Sequence, residues 1–230
     1  SSLARAMLIS ISRATTGRET TLKWLKESEK LDPLNQSARW AAITALDPRW
    51  GGRPEDLALI ESQIMQSPLH PSARRGLLWS VAMTRADYFY DVTKESAKAL
   101  EHYRAAAKIC VSSDAAWKIS DIAYSVKDWG AVIEAVTNYM SIRPLEARAF
   151  SRRGWAKENI NRMHEALLDY EKAASLGDDW AQYKMGYLLL SGKYVEKDVV
   201  KGIRLMEAAA AKGNATAETY LNSFRGSRGQ

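Results

Sequence analysis

Residues 147–180 read ARAFSRRGWAKENINRMHEALLDYEKAASLGDDW. Apolar residues recur there at helical spacing over 147–159 and again over 163–175, with no strand-like alternation, and Leu176-Gly177-Asp178 punctuates the end. The stretch is therefore a helical hairpin of 34 residues, carrying Phe150, Gly154, Ala166, Tyr170 and Ala173. Similar punctuation recurs along the chain at Asp32-Pro33-Leu34-Asn35, Pro68-Leu69-His70-Pro71, Ser113 and Arg143-Pro144, every 31 to 43 residues. A period near 35 with two helices per unit is the signature of an α-solenoid. The spacing predicts helices over 2–12, 18–31, 36–46, 54–66, 72–87, 95–110, 114–126, 129–142, 147–159, 163–175, 180–190, 198–212 and 215–224.

Composition is that of a folded globular chain. Of 230 residues 46% are apolar and 26% charged, with 13 Gly, 6 Pro and a single Cys, which excludes disorder, collagen and a disulfide framework. Lys and Arg exceed Asp and Glu by 33 to 27, a net charge of +6 that favours acidic partners without demanding nucleic acid. No segment approaches the roughly 18 apolar residues needed to span a bilayer. Leu77–Met83 is short and broken by Ser80. The sequence leaves the compartment open between a bacterial cytoplasm and periplasm, with the lone Cys110 leaning weakly towards a reducing one.

The 147–180 hairpin resembles a tetratricopeptide repeat over its full length, and residues 113–146 fit the same register through Ser120, Val132, Val136 and Pro144. The resemblance implies that two helices approach closely at Gly154 and Ala166, while Tyr170 fills the gap between hairpins. Downstream, Ala181-Gln182-Tyr183-Lys184-Met185-Gly186, then Gly192, Val195, Asp198, Lys201, Ala209-Ala210 and Gly213 resemble a Sel-1-like repeat, and Ala217 opens a second copy 36 residues after Ala181. Tyr194, Gly202 and Leu205 stand where that family has Gly, Ala and Trp. In the N-terminal half, Leu31-Asp32-Pro33 and Leu46-Asp47-Pro48-Arg49-Trp50-Gly51-Gly52 resemble an uncharacterised bacterial family of helical-repeat domains with a Pro-Arg-Trp-Gly-Gly element. Paired glycines permit positive φ and a tight reversal, with Trp50 expected to pack over the turn. Tyr88 to Thr93 is expected to be a connection anchored by Tyr88, Phe89 and Tyr90. Together these readings imply an all-α, right-handed α-solenoid of about six helical hairpins plus a closing helix. Residues 1–112 form degenerate repeats, 113–180 two tetratricopeptide-like repeats, 181–224 a Sel-1-like repeat and capping helix, and 225–230 a flexible tail.

Enzyme chemistry finds little support. The three histidines, His70, His102 and His164, are not paired at metal-binding spacing, and there is no second Cys for a zinc or iron site. His102 and Cys110 are two helical turns apart, about 12 Å, too far to act as a dyad. Asp178 and Asp179 are expected to cap the helix near Trp180. No catalytic residue, cofactor or metal is expected, and a binding function remains.

The tetratricopeptide register names the binding residues. Ligand-facing positions recur on the first helix of each hairpin, and the resemblance places Lys118, Arg152 and Lys184 at one of them and Asp121, Trp155 and Tyr187 three residues later. Tyr124, Arg148 and Tyr183 border that stripe. Cations beside aromatic surface suit an acidic peptide or a terminal carboxylate. The expected function is a protein–protein interaction module holding an acidic segment of a partner in its concave groove. Alternatives are a secretion-system immunity or adaptor protein that binds a toxin or effector, and nucleic-acid binding through the basic stripe. Reversing Arg152 and Lys184 to Glu is expected to abolish capture and leave the melting temperature unchanged.

Overall fold

A computed structural model of the chain describes residues 17–226. Among the described residues there are twelve α-helices, one 3-10 turn and no strand. The expected helix over 2–12 lies outside them. The helices are α1 (Gly17–Leu31), α2 (Gln36–Ala45), α3 (Pro54–Gln66), α4 (Pro71–Asp91), α5 (Ser96–Ile109), α6 (Ser113–Ser125), α7 (Trp129–Ile142), α8 (Ala147–Asn159), α9 (Met163–Ser175), α10 (Asp179–Ser191), α11 (Val199–Ala211) and α12 (Ala215–Gly226). Their starts follow local chemistry. Asn35, Asp128, Asp178, Asp198 and Asn214 each accept a backbone N–H three residues on, and Pro54 and Pro71 open α3 and α4 where a missing N–H leaves nothing unpaired. Helix α12 continues through Gly226, so residues 225 and 226 are helical where a frayed tail was expected. The chain divides into two compact units, one ending at Ala115 and the other beginning at Ala116.

The first unit buries Leu25, Ile43, Leu46, Leu57, Ile60, Ile64, Leu77 and Val81 in one cluster. Its turn between α1 and α2 is pinned by Arg39, which is only 3% exposed, pairs with Glu29 at 3.0 Å and donates to the carbonyls of Pro33 and Asn35. The Pro-Arg-Trp-Gly-Gly element forms a 3-10 turn, Pro48–Trp50, capped by Asp47. Its two glycines have different reasons. Gly51 holds φ at +102°, whereas a β-carbon on Gly52 would lie 2.0 Å from the Leu46 carbonyl oxygen. Trp50 is 63% exposed, where packing over the turn was expected. Successive residues of a 3-10 turn point about 120° apart. Arg49 is drawn onto Asp47, Asp87 and Asp91, which turns its neighbour outward. The expected connection at Tyr88–Thr93 is also corrected, because α4 runs on to Asp91. Phe89 there stacks on His102 at 5.2 Å, and Tyr90 meets Tyr103 edge-on. Aromatic contacts with α5 hold this last turn in helical form.

The second unit is a succession of hairpins, α6/α7, α8/α9 and α10/α11, followed by α12. Within α8/α9 a β-carbon at Gly154 would lie 2.6 Å from the Tyr170 ring and 3.2 Å from the Ala166 carbonyl. Tyr170 is fully buried, donates its hydroxyl to Glu158 at 2.6 Å and meets Trp180 of the next hairpin at 5.3 Å. In α10/α11 the close approach is between Gly186 and Gly202, each of whose β-carbons would meet the other's carbonyl oxygen, at 3.0 and 3.2 Å. The loop after α10 places Gly192 and Tyr194 at φ +71° and +67°, so Tyr194 adopts the backbone conformation that a glycine would supply. Successive layers are also stitched at their loops. Lys212 donates to the Gly177 carbonyl and Asn214 to Asp179, both across 35 residues, one repeat period.

Candidate functional site

The first helices α6, α8, α10 and α12 meet through a recurring contact. Arg152 on α8 pairs with Asp121 on α6, and its guanidinium lies 4.1 Å from the Trp117 ring centroid and 5.6 Å from that of Tyr124. Lys184 on α10 pairs with Glu158 on α8 at 2.7 Å and lies 5.4 Å from the Trp155 ring centroid. Tyr187 on α10 meets Tyr220 on α12 edge-on at 5.6 Å, and Tyr220 follows Lys184 by 36 residues. Residues 121, 155 and 187 thus each touch the residue standing at the 152, 184 or 220 position of the next layer. The register read from the sequence is a physical ladder of first-helix contacts, with a salt bridge, a cation over a ring and a ring pair as its rungs.

Alongside this ladder α6, α8 and α10 enclose a cleft of about 480 Å³. Tyr124, Arg148, Arg152 and Trp155 line it, all four being residues that the sequence singles out for binding, together with Ser151, Asp178, Asp179 and Trp180, which it does not assign to binding. Lys118, Asp121, Tyr183, Lys184 and Tyr187 do not line it. Lys118 is half-buried on α6. Tyr183 and Tyr187 pack instead against the cluster of Leu190, Met206, Ala209, Ala217 and Leu221.

One wall of the cleft is aromatic: Trp155 and Trp180 stand perpendicular at 5.3 Å, with Tyr170 buried behind Trp180. Another carries carboxylates with internal duties. Asp178 accepts the Ser151 hydroxyl and caps α10, as the sequence predicts for this residue, and Asp179 accepts from Asn214 at 3.0 Å. Arg148 differs from the other cations. It is exposed, its guanidinium lies 5.4 Å from the Trp117 ring centroid, and among the described residues it has no carboxylate partner. With Arg152 held by Asp121, Arg148 is the cleft-lining cation available to a ligand.

Reversal of Arg152 and Lys184 therefore removes two internal ion pairs, so a lowered rather than an unchanged melting temperature is expected for that pair of substitutions. The overlooked residues carried a faint signal. Trp180 lies about one turn before Lys184. The offset that brings them to the cleft is set by packing between layers. Among the described residues no group of His, Cys, Asp and Glu could hold a metal ion, and no helix is long and apolar enough to cross a membrane.

Repeated helical hairpins with ladder contacts between first helices define an all-α repeat protein of the solenoid class. The Sel1 repeat model matches residues 88–108, 170–178 and 181–214. Solved structures agree with this fold. YrrB, described as a tetratricopeptide-repeat protein with an unusual peptide-binding site, is 10% identical with a TM-score of 0.56, over 86% of this chain and 97% of its own. A Sel1 repeat protein from Oxalobacter formigenes is 19% identical with a TM-score of 0.54, over 83% and 78%. A double mutant of MamA from RS-1 is 12% identical with a TM-score of 0.54, over 80% and 97%. No curated protein matches the sequence. The chain thus carries Sel1 repeat matches over part of its length and has the helical-repeat fold of tetratricopeptide and Sel1-like proteins.

Proposed function

We propose that the chain is a non-enzymatic protein–protein interaction module that holds a carboxylate-bearing segment of a partner protein in the cleft formed by α6, α8 and α10. The observation that carries this reading is the exposed Arg148 guanidinium, which lacks an internal carboxylate and stands at a cleft walled by Trp155, Trp180 and Tyr124. Trp, Tyr and Arg dominate binding energies at interfaces, and a guanidinium recognises a carboxylate through paired hydrogen bonds. YrrB supports the reading as a protein of the same fold with a peptide-binding site. The balance of Arg148 and Arg152 against Asp178 and Asp179 favours a protein partner over a nucleic-acid backbone, whose recognition requires a surplus of cations.

The test is comparative capture from the source organism's lysate by the wild-type chain and an Arg148→Glu variant, with bound proteins identified by mass spectrometry. Loss of a charged hydrogen bond removes about 1.5–3 kcal/mol, a tenfold or greater loss of affinity. The genuine partner should disappear from the variant's eluate while helical content and melting temperature stay at wild-type values. Undiminished capture by Arg148→Glu would place the binding surface elsewhere.

A further inference from the structure

Resting on that reading of the cleft, the charge inventory narrows the ligand. Two cations and two carboxylates line the space, so it has no formal surplus of positive charge. Arg152 is further neutralised by Asp121, behind it on α6. Lys184, the next cation along the ladder, is held by Glu158 and lies outside the cleft. A run of acidic residues entering here would meet one available guanidinium, Arg148, and then the carboxylates of Asp178 and Asp179. Like charges brought together in a partly desolvated site are unfavourable. The remaining wall includes Tyr124 and the perpendicular Trp155–Trp180 pair. Such a corner suits a third aromatic ring in edge-to-face contact. A volume of about 480 Å³ fits a ligand of one or two residues, within the range of about 300–1,000 Å³ typical of small-ligand pockets.

We infer that the cleft selects an aromatic side chain adjoining a single carboxylate, the ring seated against Trp155 and Trp180 and the carboxylate on Arg148, and that it discriminates against acidic tracts. Asp179 is the residue that enforces the discrimination. It lines the cleft at the start of α10, held by Asn214.

The test uses three blocked synthetic peptides of equal length: one with a central Phe-Asp, one with Phe-Asn in its place, and one with four consecutive Glu. Binding is followed by titration of the indole N–H signals of Trp155 and Trp180 in a two-dimensional NMR spectrum, assigned from Trp155→Phe and Trp180→Phe. The Phe-Asp peptide should shift both signals and bind at least tenfold more tightly than either of the others. Arg148→Gln should abolish the preference for Phe-Asp over Phe-Asn. Asp179→Asn should improve binding of the tetra-Glu peptide at least threefold and leave Phe-Asp little changed. If tetra-Glu shifts the same indole signals and binds as tightly as Phe-Asp, the inference is wrong while the cleft stands as the binding site. If no peptide shifts either signal, the proposed function at this cleft falls and the inference falls with it.

Discussion

Replacing Gly154 by Ala tests whether the close approach of α8 to α9 organises the second unit. The new β-carbon would lie 2.6 and 2.7 Å from two ring carbons of Tyr170 and 3.2 Å from the Ala166 carbonyl oxygen. Carbon–carbon contacts settle at about 3.5–4.0 Å, so the ring must retreat by about 1 Å. It has little room: Tyr170 is fully buried, its hydroxyl is hydrogen-bonded to Glu158 and its ring meets Trp180. Overpacking of this kind costs about 1–3 kcal/mol, and with both ends of the ring held the upper half of that range applies. Alanine returns about 1 kcal/mol through its higher helix propensity. The net expectation is a loss of about 1–2 kcal/mol, or roughly 2–8 °C in melting temperature. Gly76→Ala is the internal control. Its β-carbon would meet only the Trp40 ring at 3.8 Å, an ordinary contact, so this variant should gain about 0.5–1 kcal/mol. Urea denaturation followed by circular dichroism measures both. Combining Gly154→Ala with Tyr170→Leu should recover part of the loss, a coupling of about 0.5–3 kcal/mol. A Gly154→Ala protein as stable as wild type would refute the packing argument.

Three further outcomes are expected. Arg152→Glu with Lys184→Glu sets new carboxylates beside Asp121 and Glu158 and should lower stability by about 1–3 kcal/mol, between values for exposed and buried pairs; thermal melts that match those of Arg148→Glu would show that neither pair matters. Tyr194→Gly relieves a non-glycine residue at φ +67°, a strain of about 1–2 kcal/mol, and after the entropy cost of glycine should stabilise by about 0.5–1 kcal/mol. A denaturation midpoint that falls instead would mean that the exposed Tyr194 ring, with Lys193 over it, holds the loop. Burial first, and Arg85 second, hold His102 below its ordinary value of 6.5. Below that pH the unfolded chain binds the proton more readily. The contribution of His102 to stability is therefore present above about pH 6.5 and is lost as pH falls through the depressed value. Wild type should lose stability relative to His102→Gln between pH 7 and 5, and parallel pH profiles would rule this out.

Most helix positions, the hairpin period and the close approach at Gly154 and Ala166 were legible in the sequence because each depends on residues within one 34-residue unit. Short-range periodicity, capping residues and turn chemistry act locally, so they can be read from the chain order. The equivalence of positions 152 and 184 in successive layers was also legible, but not how their charges are paired. Which carboxylate meets Arg152 or Lys184 depends on the offset between successive layers, and that offset places residue 121 against 152 and Glu158 against Lys184. The same offset brings Asp178, Asp179 and Trp180 to a cleft with Arg148, thirty residues away. The outward turn of Trp50 likewise follows from the pull of Asp87 and Asp91, about forty residues further on, upon its neighbour Arg49. The sequence by itself determined the repeating helical hairpins and the small residues that let them close. Only the tertiary structure decided which charges cancel and which guanidinium remains available, because ion pairing is settled by distances across layers that no local pattern encodes.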